Sequence, residues 1–306
     1  MPLPKASGAI AGSVLLLCLS AVSACTGPRQ PPAFPGQAQS FVGSGPQCAG
    51  VEPPPAAKAA GLTRLQFCDD FSDPGSFDFK GTGDPGFKWY RNYWFKFSRA
   101  TSPHDGEPES SFTMRDGVLE LHPTKAHYQS NMQSAILKND RAVGYYINRE
   151  TGGWYVEARV AHPASADGVG VWSMDMCHVY HFPSRCVRFV EPDWYEYWEG
   201  AEARATHMWI SRRNQIFKEE PDCNNVWKND FDPNAFRTYG ARTTAAGVTY
   251  WRDDAQVAAC DTMPWRGAVV AGPPEGGYNV GRYPIYVGSK PGHSLKLDFV
   301  RVWVRP

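Results

Sequence analysis

Glu191, Asp193 and Glu196 fall close together in the run Val190-Glu191-Pro192-Asp193-Trp194-Tyr195-Glu196-Tyr197-Trp198-Glu199. The aromatic residues beside these acids favour a strand. Side chains alternate along a strand, so Glu191 and Asp193 share a face about 7 Å apart. Glu196 is out of phase by one residue. A β-bulge between them would return it to that face. Carboxyl groups gathered in this way can hydrolyse a glycoside: one attacks the anomeric carbon, while the other protonates the leaving oxygen and later activates water, at a separation of about 5–5.5 Å in retaining enzymes. A third carboxylate close by raises a neighbour's pKa by like-charge repulsion and can share its proton. The same spacing fits an edge strand that simply carries its acids in water. The neighbouring aromatics favour the sugar reading, because sugar rings stack on them.

Glu191-x-Asp193-x-x-Glu196 resembles the active-site motif of glycoside hydrolase family 16, the laminarinase, lichenase and agarase family. Motifs in the same order along the chain carry the resemblance further. Phe67-Cys68-Asp69-Asp70-Phe71 is similar to the family's opening strand, and Asp116-Gly117-Val118-Leu119-Glu120-Leu121 to its "DGxLxL". Gly153 to Val160 is similar to a central strand, Phe236-Arg237-Thr238-Tyr239-Gly240 to "FHTYG", and Leu297 to Trp303 to the closing "VDWVRVY". The hairpin at Gly247 to Asp254 is similar to one that usually ends "VDG".

The resemblance implies an all-β fold: a two-sheet antiparallel β-sandwich, or jelly roll, with a concave substrate cleft. It implies Glu191 as nucleophile, Glu196 as acid/base and Asp193 as the helper between them. Substrate-binding positions carried over in the same way are Glu157, Arg159, Trp172, Trp198, His207, Trp209, Asn92 and Trp94. Gly117 and Asp298 match positions that hold a structural calcium in several members; no cofactor is required for the chemistry. Pro192 departs from the pattern, since proline removes a ladder donor and prefers edges and bulges. It puts the strand register, and with it the carboxylate spacing, in question.

The elements that must position these residues occupy most of the chain. Residues 1–24 read as a signal peptide, with Lys5 followed by an apolar run too short to span a bilayer. Val22-Ser23-Ala24-Cys25 resembles a bacterial lipoprotein cleavage box, which makes Cys25 a lipidation site; ordinary cleavage after Ala24 is the other reading. Both export the protein, to the bacterial cell envelope or beyond. Residues 25–60, rich in proline, read as an extended tether. Residues 61–306 are the catalytic domain. Within it the Leu295 to Val304 stretch reads as strictly alternating. Trp154, Val156, Ala158 and Val160 share an apolar face, while Tyr155, Glu157 and Arg159 share the other.

The net formal charge is zero over 306 residues. No basic face suggests nucleic acid. The expected partner is a polysaccharide, the expected state a monomer, and the expected membrane contact only the lipid. Beyond Cys18 and Cys25, pairing nearest neighbours gives Cys48–Cys68, Cys177–Cys186 and Cys223–Cys260, as an oxidising compartment allows. A metal at Cys177-His178-x-x-His181 is the rival for one pair, and it lacks a CxxC partner. The sequence thus leads to a retaining endo-β-glycanase acting on a β-1,3- or mixed-linked glucan first and an agar-type galactan next. The alternatives are a transglycosylase, a carbohydrate-binding lipoprotein whose site Pro192 has disabled, and a structural envelope lipoprotein.

Overall fold

The computed structural model describes residues 41–91, 108–124, 131–138, 141–148, 152–176, 186–212, 215–218, 223–224, 232–244, 247–260, 269–270 and 282–306. The expected leader, Cys25, Asn92 and Trp94 lie outside these, as do Cys177 and most of the loop after it. Among the described residues the regular structure is nearly all strand, arranged in two large sheets of eight and ten strands with two small two-stranded ones beside them. All pairings in the eight-stranded sheet are antiparallel. In the ten-stranded sheet the edge pair Phe77–Asp78 and Trp89–Arg91 runs parallel.

The eight-stranded sheet is centred on Trp154–Ala161 and Leu295–Val304, which pair with each other. The ten-stranded sheet is centred on Val169–Ser173, Cys186–Trp198 and Ala201–Arg212. The alternation of Trp154, Val156, Ala158 and Val160 does what period-two patterning requires: all four enter the core shared with Val169, Val171, Trp194, Tyr195 and Tyr197 of the other sheet. Two sheets packed face to face over one apolar layer make a β-sandwich, as expected.

Two expectations are corrected here. Leu295–Val304 is not strictly alternating. Leu295 and Leu297 enter the core, and then Val300, Val302 and Val304 do. The phase slips at a bulge, where Arg159 faces Phe299 but Val160 faces Leu297. The tether is also shorter than residues 25–60. Val42 bridges Cys68, Cys48 is disulfide-bonded to Cys68, and Pro55–Ala59 is a short helix. Ala57 and Leu62 close over Tyr155, Trp251 and Trp303 on the outer face of the eight-stranded sheet. The prolines at 53 to 55 suit the start of that helix, because a missing N–H costs nothing in a first turn. Of the expected disulfides, Cys48–Cys68 is present and Cys260 is disulfide-bonded. The Cys177–Cys186 pairing involves Cys177, which lies outside the described residues.

Candidate active site

The carboxylates lie on Cys186–Trp198, and the register of this strand decides where they point. Against Ala201–Arg212 the pairs run Glu191 with His207, Pro192 with Thr206, and Asp193 with Ala205, in phase through the proline. The next pair is Glu196 with Ala203, so Trp194 and Tyr195 together face the single residue Arg204. On the other side Trp172 pairs with Asp193 and Val171 with Tyr195, which leaves Trp194 as the extra residue. This is the bulge that the spacing of the acids requires. Pro192 falls beyond the last of these pairs with Val169–Ser173, a position where a missing donor is tolerated.

The bulge sends two consecutive aromatics inward. Trp194 and Tyr195 are both in the core, 1% and 0% exposed. Tyr195 stacks on Tyr239 of the opposite sheet, with ring centroids 4.0 Å apart. Its hydroxyl meets His162 Nε2. His162 Nδ1 lies 2.9 Å from the Pro163 carbonyl, which can only accept, so Nδ1 carries the proton. Burial lowers the His162 pKa and keeps the ring neutral, so Nε2 accepts from Tyr195. Behind the next strand the Tyr250 hydroxyl donates to the Ala205 carbonyl at 2.6 Å and touches Thr206 Oγ1. The inner face is thereby fixed, and Glu191, Asp193, Glu196 and Trp198 are left on the outer one. Asp193 is buried, whereas Glu191 and Glu196 are half-buried.

Across the sheet the outer face is built in rows. Asp193 is flanked by Ala205 on one side and by Trp172, Tyr286 and Gln133 in succession on the other. Glu196 is flanked by Ala203, and on its other side by Gly170 and Gly288. The row of Glu196 therefore carries almost no side chain beside the acid. Trp172 uses that space: a Cβ on Gly170 would stand 3.2 Å from its Cε3. The Trp172 ring also stacks on Tyr286, centroids 5.8 Å apart and planes 20° apart. At 5% exposure it forms a wall beside Asp193 more than an open platform.

Trp198 is half-buried, and its indole N–H donates to Glu196 Oε1 at 3.1 Å. Lys290 lies across Gly168, where a Cβ would clash with its stem at 2.5 Å, and reaches Trp198 with its ammonium 4.4 Å from the ring centroid. Asp167 holds Lys290 by an ion pair and accepts the Glu199 N–H at 3.0 Å. These contacts hold the Asp167 pKa below the usual carboxylate range, the hydrogen bond from Lys290 first and that from Glu199 next.

The structure separates Glu157 and Arg159 from the carboxylate strand, a correction to their expected place in the cleft. Their strand belongs to the eight-stranded sheet, and both point from its outer face. Glu157 is buried against Arg301 at 3.1 Å and Trp303 Nε1 at 3.3 Å. Arg159 pairs with Asp298 and lies over the Phe236 ring. That pairing also bears on calcium. The Asp298 carboxylate is engaged by a guanidinium, and Gly117 serves the Asp116-Gly117 hairpin with both residues at positive φ. No group of three or more acids, histidines or cysteines converges to hold a metal among the described residues. These residues do not fit a calcium site. His207 stands opposite Glu191 and Trp209 opposite Phe189 in the backbone register, and their side chains are outside those described.

Lys290, Asp167, His162, Gly170 and Gly288 were not singled out from the sequence. Only Gly170 left a signal there, since an isolated glycine inside Val-Gly-Val-Trp marks a close approach.

Fold and site define a two-sheet β-sandwich with a carboxylate triplet on the outer face of one sheet. No protein-family model matches the sequence, and no curated protein matches it. Solved structures are similar to it. The κ-carrageenase of Pseudoalteromonas carrageenovora, in complex with a κ-carrageenan oligotetrasaccharide, is 18% identical over 64% of this chain and 83% of its own, with a TM-score of 0.42. A non-specific endo-β-1,3(4)-glucanase from family GH16 is 14% identical over 79% of this chain and 91% of its own, at 0.46. The laminarinase catalytic domain of Thermotoga maritima is 11% identical over 79% and 98%, also at 0.46.

Proposed function

We propose that the protein is a retaining, endo-acting hydrolase of a β-linked polysaccharide, of the glycoside hydrolase family 16 type. One observation carries the reading: the bulge at Trp194 and Tyr195 turns an out-of-phase triplet into Glu191, Asp193 and Glu196 on one face. A strand whose acids served only solubility has no need of a bulge that buries two large aromatics to align them.

In this reading Glu191 attacks the anomeric carbon, and a covalent glycosyl-enzyme forms as Glu196 protonates the departing oxygen. Glu196, now a carboxylate, takes a proton from water, which releases the sugar from Glu191. Buried Asp193 lies between them on the same face and restrains the charge on its neighbours. The bare row of Ala203, Gly170 and Gly288 lets the Trp172 ring lie beside Glu196 and wall the site. His207, opposite Glu191, and Trp209 are the further sugar contacts on the adjacent strand. A β-1,3- or mixed-linked glucan is the first substrate class and an agar-type galactan the second. Capture of the intermediate by a sugar would make the product a transglycosylation. Export and lipidation at Cys25 complete the proposal and place the site at the cell envelope.

The test is reducing-end release from laminarin, a mixed-linked glucan and agarose, with wild type beside Glu191→Gln. Release from one polymer, with kcat reduced at least a hundredfold in the variant, supports the assignment. Glycan binding by both proteins without release overturns it in favour of a carbohydrate-binding protein.

A further inference from the structure

Trp198 is engaged at two points. One face of the indole carries the Lys290 ammonium, and the N–H donates to Glu196 Oε1. A tryptophan whose N–H served the sugar would turn it toward the ligand and away from the acid. We infer that Trp198 is a positioning residue for Glu196, that Lys290 and Asp167 hold it in place, and that it sets the orientation of the catalytic carboxyl group. The inference rests on the hydrolase reading of the site.

The argument is one of donor and acceptor. Indole nitrogen only donates, so the oxygen it touches must accept in every protonation state of Glu196. The indole N–H thus fixes the plane of the Glu196 carboxyl group both when it is the acid and when it is the base. A carboxyl group free to turn would often present its proton out of line with the glycosidic bond. The support behind the indole is rigid for three reasons. Lys290 crosses a position where only glycine fits, Asp167 pins its head group, and the same carboxylate ties down the turn at Glu199-Gly200 that follows Trp198. Glu199 and Gly200 have φ of 51° and 81°, the tight turn that brings the strand back as Ala201–Arg212.

Trp198→Phe keeps the aromatic surface and removes the N–H. On polysaccharide the expected result is a kcat lowered about tenfold, a fraction of what general acid catalysis supplies, with KM within about twofold. On 2,4-dinitrophenyl β-laminaribioside, whose leaving group needs no proton, the burst of dinitrophenol should match wild type. Equal losses on both substrates, or a KM effect alone, overturn the inference. A second readout does not depend on turnover. In protein labelled with nitrogen-15 at tryptophan, the indole resonance missing from Trp198→Phe is expected to move in Glu196→Gln and to stay in Glu191→Gln. A resonance indifferent to Glu196→Gln overturns the inference whatever the activity. A resonance that follows it, in a protein inert toward every glycan, sustains the contact and overturns the hydrolase reading instead.

Discussion

Glu157 shows what a residue type can and cannot reveal. Alternation assigns it to the face opposite Trp154, Val156 and Ala158, and the structure agrees. Alternation is silent on which of two sheets the strand joins, and here that decides everything. On the eight-stranded sheet the side chain is buried beneath Gln47 and Trp303 with Arg301, and burial raises its pKa despite the guanidinium. Its work is structural. Glu157→Ala leaves Arg301 buried without its carboxylate, which costs about 3–5 kcal/mol. The loss should appear as a lower urea midpoint with the kcat of the folded protein unchanged. A large kcat defect at full stability would return Glu157 to the active site. Asp167 offers a second residue-scale test. Its folded pKa is depressed below the ordinary value of 3.8, so its contribution is full above 3.8 and lost as pH falls through the lower folded value. Unfolding free energy measured from pH 5 downward should fall more gently in Asp167→Asn than in wild type, and parallel curves would remove Asp167 from the acid limb.

At the scale of elements, the bulge was legible because its purpose was: three acids out of phase on a strand rich in aromatics allow few arrangements. The aromatics that enforce it were not separable from others in the sequence, since Tyr195 gains its role from Tyr239 and His162, which are remote in sequence and brought together by packing. Pro192 looked disruptive from the sequence alone. It sits where the ladder to the neighbouring strand has ended, a fact of registry rather than composition. The bulge at Asp298 and Phe299 was hidden for the opposite reason, because the leucines before the slip and the valines after it read as one unbroken apolar pattern. The hairpin between Gly247–Arg252 and Ala255–Cys260 carries a testable anomaly. Asp253 and Asp254 both adopt positive φ, at 48° and 63°. Asp253 repays its strain by accepting from Arg237 at 2.9 Å and from the Thr238 N–H at 2.9 Å. Asp254 stands where this turn favours glycine, and its charge bears on buried Glu157. Asp254→Gly relieves a left-handed strain of about 1–2 kcal/mol, offset in part by the roughly 0.4–1 kcal/mol that a glycine adds in unfolded-chain entropy, and is expected to raise the Tm slightly. A lower Tm would mean that the Asp254 carboxylate makes a contact worth more than the strain.

For the whole molecule, the sandwich was legible as two-faced strands in sequence order, whereas its edge was not. Proline-rich sequence reads as tether, and the part after Phe41 instead folds back as a cover. Arg301 donates from Nε to the Gln47 carbonyl at 2.8 Å and from Nη2 to Gln47 Oε1 at 3.0 Å. Phe41 packs on Tyr145, Ala57 is fully buried, and the disulfide ties Cys48 to Cys68. The segment thus protects the outer face of the sheet that lies behind the site. A chain beginning at Gly61, with Cys68→Ser to remove the orphaned thiol, should lose at least the disulfide's share of about 2–5 kcal/mol against a chain beginning at Phe41. The comparison is a urea titration of the two chains, with Cys48→Ser/Cys68→Ser in the longer one as a third arm that leaves the Cys260 disulfide intact. If the double substitution alone accounts for the whole difference, the disulfide is the fastening and the helix merely follows it. If the shorter chain is weaker than the doubly substituted longer one, the burial of Ala57 and the two bonds from Arg301 contribute in their own right. Equal midpoints in all three would make residues 41–60 a tether after all.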